Sequence, residues 1–281
     1  MCSHGKNSLS SPEAGRLMAT HIKPKQGDGL RWVVKRKRQD LLLIDFGLVN
    51  LKEGATLRDG TKDEEAVLYL FGGTCSVAGE EFNFKSVGVR RDVFEGKASA
   101  VYIPPNTQYT ITALTDLSAA IVKAPATAAG SAQHIAPRDV KVRKVGRDNW
   151  AREVHDVGVE NLTAQKLIVG ETFNPPGNWS SSPPHKHDIE NPPDEGRLEE
   201  LYFYRLRPAQ GFGLQRVYTA DGYNQVFVVE DGDAVTLPRG YHPVVAAPGY
   251  ELYYFWVLAS FHERKMRVHD DPKHRWLKDA R

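Results

Sequence analysis

From about residue 29 onward the chain is a succession of short apolar runs separated by Gly, Pro, Asn or Asp. "LLLIDFGLVNL", "AVLYLFGG", "AVYIPP", "YTITAL" and "AAIVKAP" come first; "QKLIVGETF", "ELYFYRL", "GLQRVYT", "QVFVV", "AVTLP" and "ELYYFWVLAS" follow. Val, Ile, Tyr and Phe dominate them, side chains that suit a pleated and half-buried surface, and turn-forming residues bound each run. Apolar positions at the spacing of an amphipathic helix are scarce. The pattern predicts an all-β protein of sandwiches or barrels. Residues 1–28 are polar and aperiodic and read as a flexible or loosely docked N-terminal arm.

The runs echo one another. "AVYIPPNTQYTITA" (100–113) and "AVTLPRGYHPVVAA" (234–247) share Ala-Val-x-aliphatic-Pro and a final Ala at a constant offset, 234 − 100 = 247 − 113 = 134. Upstream, "EEAVLYLFGG" resembles "LEELYFYRLR". Two related β units in tandem produce such an echo. "KAPATAAGSAQHIAPR", small and Pro-containing, is the natural linker, so the expected units are 29–135 and 136–281. His242 of the second copy faces Gln108 of the first (242 − 134 = 108), and His-x-His occurs only in the second. A metal-free first barrel and a metal-binding second barrel are expected.

Composition narrows the function. The 281 residues are 41% hydrophobic and 26% charged with net charge +2, an ordinary globular balance. The basic cluster Lys35 to Arg38 is short and isolated, so a nucleic-acid partner is not expected. No apolar run approaches the roughly 18 residues of a membrane helix, and the first residues lack the apolar stretch of a secretory signal. Cys2 and Cys75 are too few for a disulfide framework. A cytoplasmic protein in a reducing compartment is expected, without a membrane partner.

The second unit carries the chemistry. In "NWSSSPPHKHD", His185 and His187 share a face if the segment is a strand. "RLEELYFYRL" then offers Glu199 or Glu200, and "LPRGYHPV" supplies His242. Glu200 is preferred because it shares its face with Tyr202 and Tyr204, whereas Glu199 shares one with Leu201 and Phe203. His185, His187, Glu200 and His242 form a candidate site for a divalent ion, Zn, Mn, Fe, Co or Ni. Lys186 should alternate outward.

The order His-x-His, Glu, then "P-x-G-x-x-H" in a doubled β chain resembles the cupins, with thirteen positions from His187 to Glu200 (200 − 187 = 13) implying an inserted loop, "DIENPPDEGRL". "ETFNPPGNWSSSPPHKHD", "GFGLQRVYT", "GYHPVVAAPGYELYY" and "DDPKHRW" are similar to the bicupin uronate isomerases, the family of the 5-deoxy-glucuronate and 5-keto-4-deoxyuronate isomerases. The likeness covers most of residues 30–278, and "YYFWVLAS" departs from it. It implies two tandem jelly-roll barrels with a short C-terminal extension, and the same four ligands.

It also implies an aldose-ketose isomerase of myo-inositol catabolism that converts 5-deoxy-D-glucuronate to 5-dehydro-2-deoxy-D-gluconate. A divalent ion would polarise the carbonyl and adjacent hydroxyl while a proton moves between neighbouring carbons. Arg205 and Arg216, with Gln215 beside the latter, are the expected contacts for the uronate, and Tyr202, Tyr204 and Tyr218 are expected to line the pocket and relay protons. "HDDPKHRWL" is expected to cap the barrel through Trp276 or fold back as a lid. A cupin dioxygenase, which would need O2, and a sugar-acid binder, which would convert nothing, are the alternatives. A homo-oligomer is compatible with exposed sheet edges.

Overall fold

The computed structural model describes residues 17–280 apart from Gln39 and Ala129. Among these the only helical segments are single 3-10 turns, and the rest of the regular structure is strand. The all-β bicupin architecture is present. In the first half a six-stranded sheet, in which the central strand Glu64–Gly72 lies between Ser99–Ile103 and Leu117–Pro125, faces a four-stranded sheet that includes Cys75–Gly79 and Gln108–Ala113. In the second half a seven-stranded sheet, with Leu198–Arg207 between Ala234–Leu237 and Glu251–Ser260, faces a four-stranded sheet that includes Phe212–Tyr218 and Val244–Ala246. No helix among the described residues is long and apolar enough to cross a membrane.

The two large sheets pack back to back, so both faces of their central strands are buried. This is why those strands read as nearly continuous apolar runs. Alternation along Glu64–Gly72 sends Ala66, Leu68 and Leu70 into the first barrel and Val67, Tyr69 and Phe71 into the layer between barrels. Along Leu198–Arg207 it sends Tyr202 and Tyr204 into the second barrel and Leu201 and Phe203 into the same shared layer. Phe71 stacks on Phe203 across it, ring centroids 5.0 Å apart.

Two buried glutamates join the halves by one reciprocal device. Glu199 accepts the backbone N–H of Leu42 at 2.8 Å on Oε2, and those of Leu43 and Ile44 at 2.6 and 2.7 Å on Oε1. Glu65 treats the second half in the same way: Gln165 N–H reaches Oε2 at 2.6 Å, and Lys166 and Leu167 reach Oε1 at 2.7 and 2.8 Å. The two positions are separated by the repeat offset, 199 − 65 = 134. Each carboxylate satisfies three donors that would otherwise be stranded where the other half begins a strand. A second buried link joins Arg90 to Glu171 at 2.9 Å, with Tyr69 donating to the same carboxylate at 2.6 Å. Burial alone would raise the Glu171 carboxyl; Arg90, His155 and Tyr69 hold it below the usual range.

The arm expected over residues 1–28 is docked where it can be described. His21–Ile22 adds an edge strand to Ala234–Leu237, and His21 Nε2 lies 2.7 Å from an Asp233 oxygen. Residues 1–16 of that arm lie outside the described residues. Backbone pairing and a buried carboxylate partner hold what the polar composition alone would leave loose.

Glu199→Ala would strand three buried amides. A loss of about 2–3 kcal/mol is expected, or roughly 5–10 °C in Tm for a chain of this size, with the divalent-ion content of the folded protein retained; thermal unfolding with metal analysis checks both.

Candidate metal centre

Three of the four expected ligands converge. One ligand atom each from His187, Glu200 and His242, all buried, lie within 4.8 Å of one another. Glu200 Oε2 is 3.0 Å from His187 Nε2 and 3.3 Å from His242 Nε2. The other ring nitrogens are committed: His187 Nδ1 donates to the Leu198 carbonyl at 3.0 Å and His242 Nδ1 to the Gly240 carbonyl at 2.8 Å. A carbonyl can only accept, so each Nδ1 carries a proton and each Nε2 is the nitrogen turned to Glu200; burial would lower both imidazoles, but the hydrogen bond to Glu200 holds His187 above the usual range. Two imidazole nitrogens and a carboxylate oxygen thus face one another in a buried site, and among the described residues His242 Nε2 has no hydrogen-bond partner. Such a trio is stable around a cation, and orientation of imidazoles by backbone carbonyls is how proteins set metal-binding histidines. The donor set fits a divalent ion.

His185 stands beside this trio. Its ring centroid is 4.9 Å from that of His242 and 6.4 Å from that of His187. Burial, reinforced by His242 and His187, pushes it well below the usual imidazole range, so it is neutral and able to donate electrons. It falls outside the close cluster because the strand is only His185–Lys186 and ends before His187, which removes the same-face geometry expected of His-x-His.

The surrounding loop locks the ligands. Lys186 is turned into a nearly buried ion-pair hub, with Nζ 2.6 Å from Asp188 and 2.7 Å from Glu195, and does not point freely outward. Asp188 also accepts the Gly240 N–H at 2.7 Å, and Gly240 in turn holds His242. The inserted loop thus ties the two ligand-bearing segments together. Gln215 is a positioning residue for the same segment: fully buried, it donates to the His242 and Pro243 carbonyls at 2.8 and 3.1 Å and accepts from Tyr204 at 2.7 Å.

A cavity of about 360 Å³ opens on the trio, lined by His185, His187, Glu200, Tyr202, Tyr254, Trp256, Thr172, Ser180 to Ser182, Arg143, Arg152, Asp270 and Lys278 among others. Of the three expected tyrosines only Tyr202 lines it, its hydroxyl 3.3 Å from Ser181 Oγ. Tyr218 instead donates to Asp271 at 2.6 Å and stacks on Tyr241. Burial pushes the phenols of Tyr202, Tyr204 and Tyr218 upward, with Glu200 or Asp271 adding to it, so all three are proton donors and not bases at neutral pH.

Neither expected arginine reaches the cavity. Arg205 follows Leu201 and Phe203 on the face away from Glu200 and pairs with Asp231 at 2.8 Å. Arg216 alternates outward between Gln215 and Val217, bonded to Asn224 at 3.0 Å and lying over the Tyr218 ring. The cation missed in the sequence is Arg152. It shares a strand face with Val154, whose register partner is Thr172, itself paired with Tyr254, and all four line the cavity. The face rule applied to "REVHDVG" groups Arg152 with Val154, and the register with Thr172 and Tyr254 brings that face to the cavity. A larger cavity, about 850 Å³, lies on the other side of Arg152 and Val145, which line both, but it contains none of the ligands.

The tail folds back onto the site strand. His269–Asp270 pairs with His185–Lys186, and the Asp271 N–H reaches the Pro184 carbonyl at 2.8 Å. Trp276 remains 60% exposed, so it is not a hydrophobic cap.

Comparison with known proteins gives a consistent picture. The model of the KduI/IolB family matches residues 18–277. A 5-deoxy-glucuronate isomerase of Geobacillus kaustophilus is 42% identical over 85% of this chain and 87% of its own. The crystal structure of an IolB-like protein from Salmonella typhimurium LT2 superposes with a TM-score of 0.87 at 33% identity, covering 92% of this chain and 98% of that one. Bacillus subtilis oxalate decarboxylase, whose Mn(II) centres have been characterised, shares the fold at a TM-score of 0.63 and 14% identity over 90% of this chain and 79% of that one.

Glu200→Gln replaces a charged ligand with a neutral one, and Asp188→Ala removes the tether between the ligand segments. Loss of bound divalent ion is expected for the first. For the second, affinity should fall about 10- to 100-fold, the usual effect of removing such an outer partner; elemental analysis and competition against a chelator measure both.

Proposed function

The chain belongs to the KduI/IolB family, and on that premise we propose that it is a metal-dependent aldose-ketose isomerase that converts 5-deoxy-D-glucuronate to 5-dehydro-2-deoxy-D-gluconate. The observation that carries this reading is the pairing of 42% identity to a 5-deoxy-glucuronate isomerase along most of the chain with a buried His-Glu-His trio, two of whose members line a cavity. Its ligand set is His187, Glu200 and His242, with His185 as the neutral fourth donor at the rim.

A divalent ion held by His187, Glu200 and His242 would supply electrophilic polarisation to the carbonyl end of an open-chain sugar. The chain's own groups do the rest. Lys186, Asp188 and Gln215 hold the ligand-bearing segments in one geometry. Tyr202 and Tyr254, both protonated, project phenol hydroxyls into the cavity wall, the first toward Ser181 and the second toward Ser180, where they donate hydrogen bonds to substrate oxygens. Trp256 donates to Thr172 at 3.1 Å and closes the inner wall. The charged groups in the cavity wall, Arg152 and Lys278 among them, suit an acidic sugar, and the conversion consumes no O2.

Anaerobic NMR in D2O with metal-replete protein and 5-deoxy-D-glucuronate should show the aldehyde resonance replaced by a ketone, with deuterium entering at carbon. His187→Ala should lower the rate by at least about 1,000-fold, the scale on which a preorganised electrostatic element contributes. No conversion by the wild-type protein, or conversion only with O2, would sink the assignment.

A further inference from the structure

Among the charged groups that line the metal cavity, one has no counter-charge. Arg143 is held by Asp156 through two bonds of 2.7 and 2.8 Å, and Lys278 is paired with Asp270. Arg152 is different. Its hydrogen bonds among the described residues all leave from Nη1, to the Trp150 carbonyl at 3.1 Å and the Ser182 carbonyl at 3.3 Å. Its Nε is buried without a partner. No carboxylate forms an ion pair with it among the described residues, and its surroundings work against its charge through burial. An arginine stays ionised regardless, so an incompletely satisfied guanidinium in a half-buried wall is costly unless an occupant brings an anion.

We propose that Arg152 is the carboxylate anchor of the cavity, its guanidinium Nη2 meeting the acid end of a sugar acid whose other end lies at His187, Glu200 and His242. Nη2 makes no hydrogen bond among the described residues, and a guanidinium N–H paired with a carboxylate oxygen is roughly twice as strong as a neutral pair. The two carbonyls on Nη1 and the Trp150 ring, 5.9 Å from the guanidinium carbon, fix its orientation without neutralising it. Placement on the same strand face as Val154, in register with Thr172 and Tyr254, puts the cation on the wall of the cavity that His187 and Glu200 also line. The anchor rests on the isomerase reading for its substrate, but the charge logic requires only a sugar acid.

The test is calorimetric titration of the metal-replete protein with D-glucuronate and with its neutral amide, D-glucuronamide, alongside turnover of 5-deoxy-D-glucuronate. Wild type should prefer the acid about 10- to 100-fold, the range for a charge-assisted pair. Arg152→Gln should bring that ratio near one while metal content and Tm are kept, and the kinetic loss should fall on KM more than on kcat. Arg152→Lys should recover part of the preference, since it keeps the charge and loses the guanidinium. If the Gln variant fails to fold or to hold metal, the Lys variant makes the same comparison: a ratio below wild type supports the anchor and an equal ratio overturns it. An unchanged ratio in Arg152→Gln, or no acid preference in wild type, overturns it as well. Acid preference that depends on Arg152 in a protein that does not isomerise would leave the anchor standing and remove the isomerase reading; turnover with an Arg152-independent ratio would do the reverse.

Discussion

Two adjacent glutamates on one strand tie the site to the joint between the halves, and strict alternation of side chains keeps their tasks apart. Glu199 faces the layer between barrels and satisfies three backbone amides of the other half; Glu200 faces the barrel interior and completes the trio with His187 and His242. A slip of one residue in the register of Leu198–Arg207 would put the metal-site carboxylate between the barrels and leave the amides of residues 42–44 without acceptors. Burial of both sheet faces makes that slip prohibitive, because Leu201, Tyr202, Phe203 and Tyr204 would all exchange environments with it. The geometry of the site is thus enforced by packing far from it.

The duplication shows how the two halves differ in the groups they place at matching positions. The strand positions that match at an offset of 134 carry Glu65 and Glu199 alike, so the structural clamp is present in both halves. One residue on, Glu200 corresponds to Ala66, and His242 to Gln108. Ala66 belongs to an apolar filling with Leu68, Val77, Val101 and Ile103, and Gln108 is exposed. The first barrel is a packed support, and its interior offers no cluster of nitrogen and carboxylate donors among the described residues.

Much of this was legible in the chain. Run lengths and turn residues reveal the strands, the echo reveals the duplication, and the tyrosine face selects Glu200 over its neighbour. What escaped did so for physical reasons. Proximity in sequence drew Arg205 and Arg216 toward the site, although alternation from Glu200 and from Gln215 turns both outward. Arg152 lies 48 residues before Glu200 (200 − 152 = 48); alternation along its strand shows which face it shares with Val154, but only the register partners Thr172 and Tyr254 show that this face meets the cavity. Lys186 alternates as a strand residue should, yet the inserted loop folds over it with Asp188 and Glu195, so outward did not mean exposed. The edge strand His21–Ile22 is too short to have a period of its own.

The electrostatics of the cavity also bear on orientation. The trio is an electron-rich cluster that favours a cation, and Arg152 is an unpaired cation on the same wall. A uronate has two ends capable of meeting a divalent ion: the carbonyl with its neighbouring hydroxyl, and the carboxylate, which by charge alone is the better ligand. Bound by the wrong end, it would occupy the site without exposing the carbon that must lose its proton. A guanidinium held in place by two backbone carbonyls offers the carboxylate an alternative, and removing the acid end to Arg152 leaves only the neutral end for the trio. On this view the charge left unpaired in the wall holds the acid end away from the trio, and a neutral side chain at that position would chiefly weaken binding of the acid.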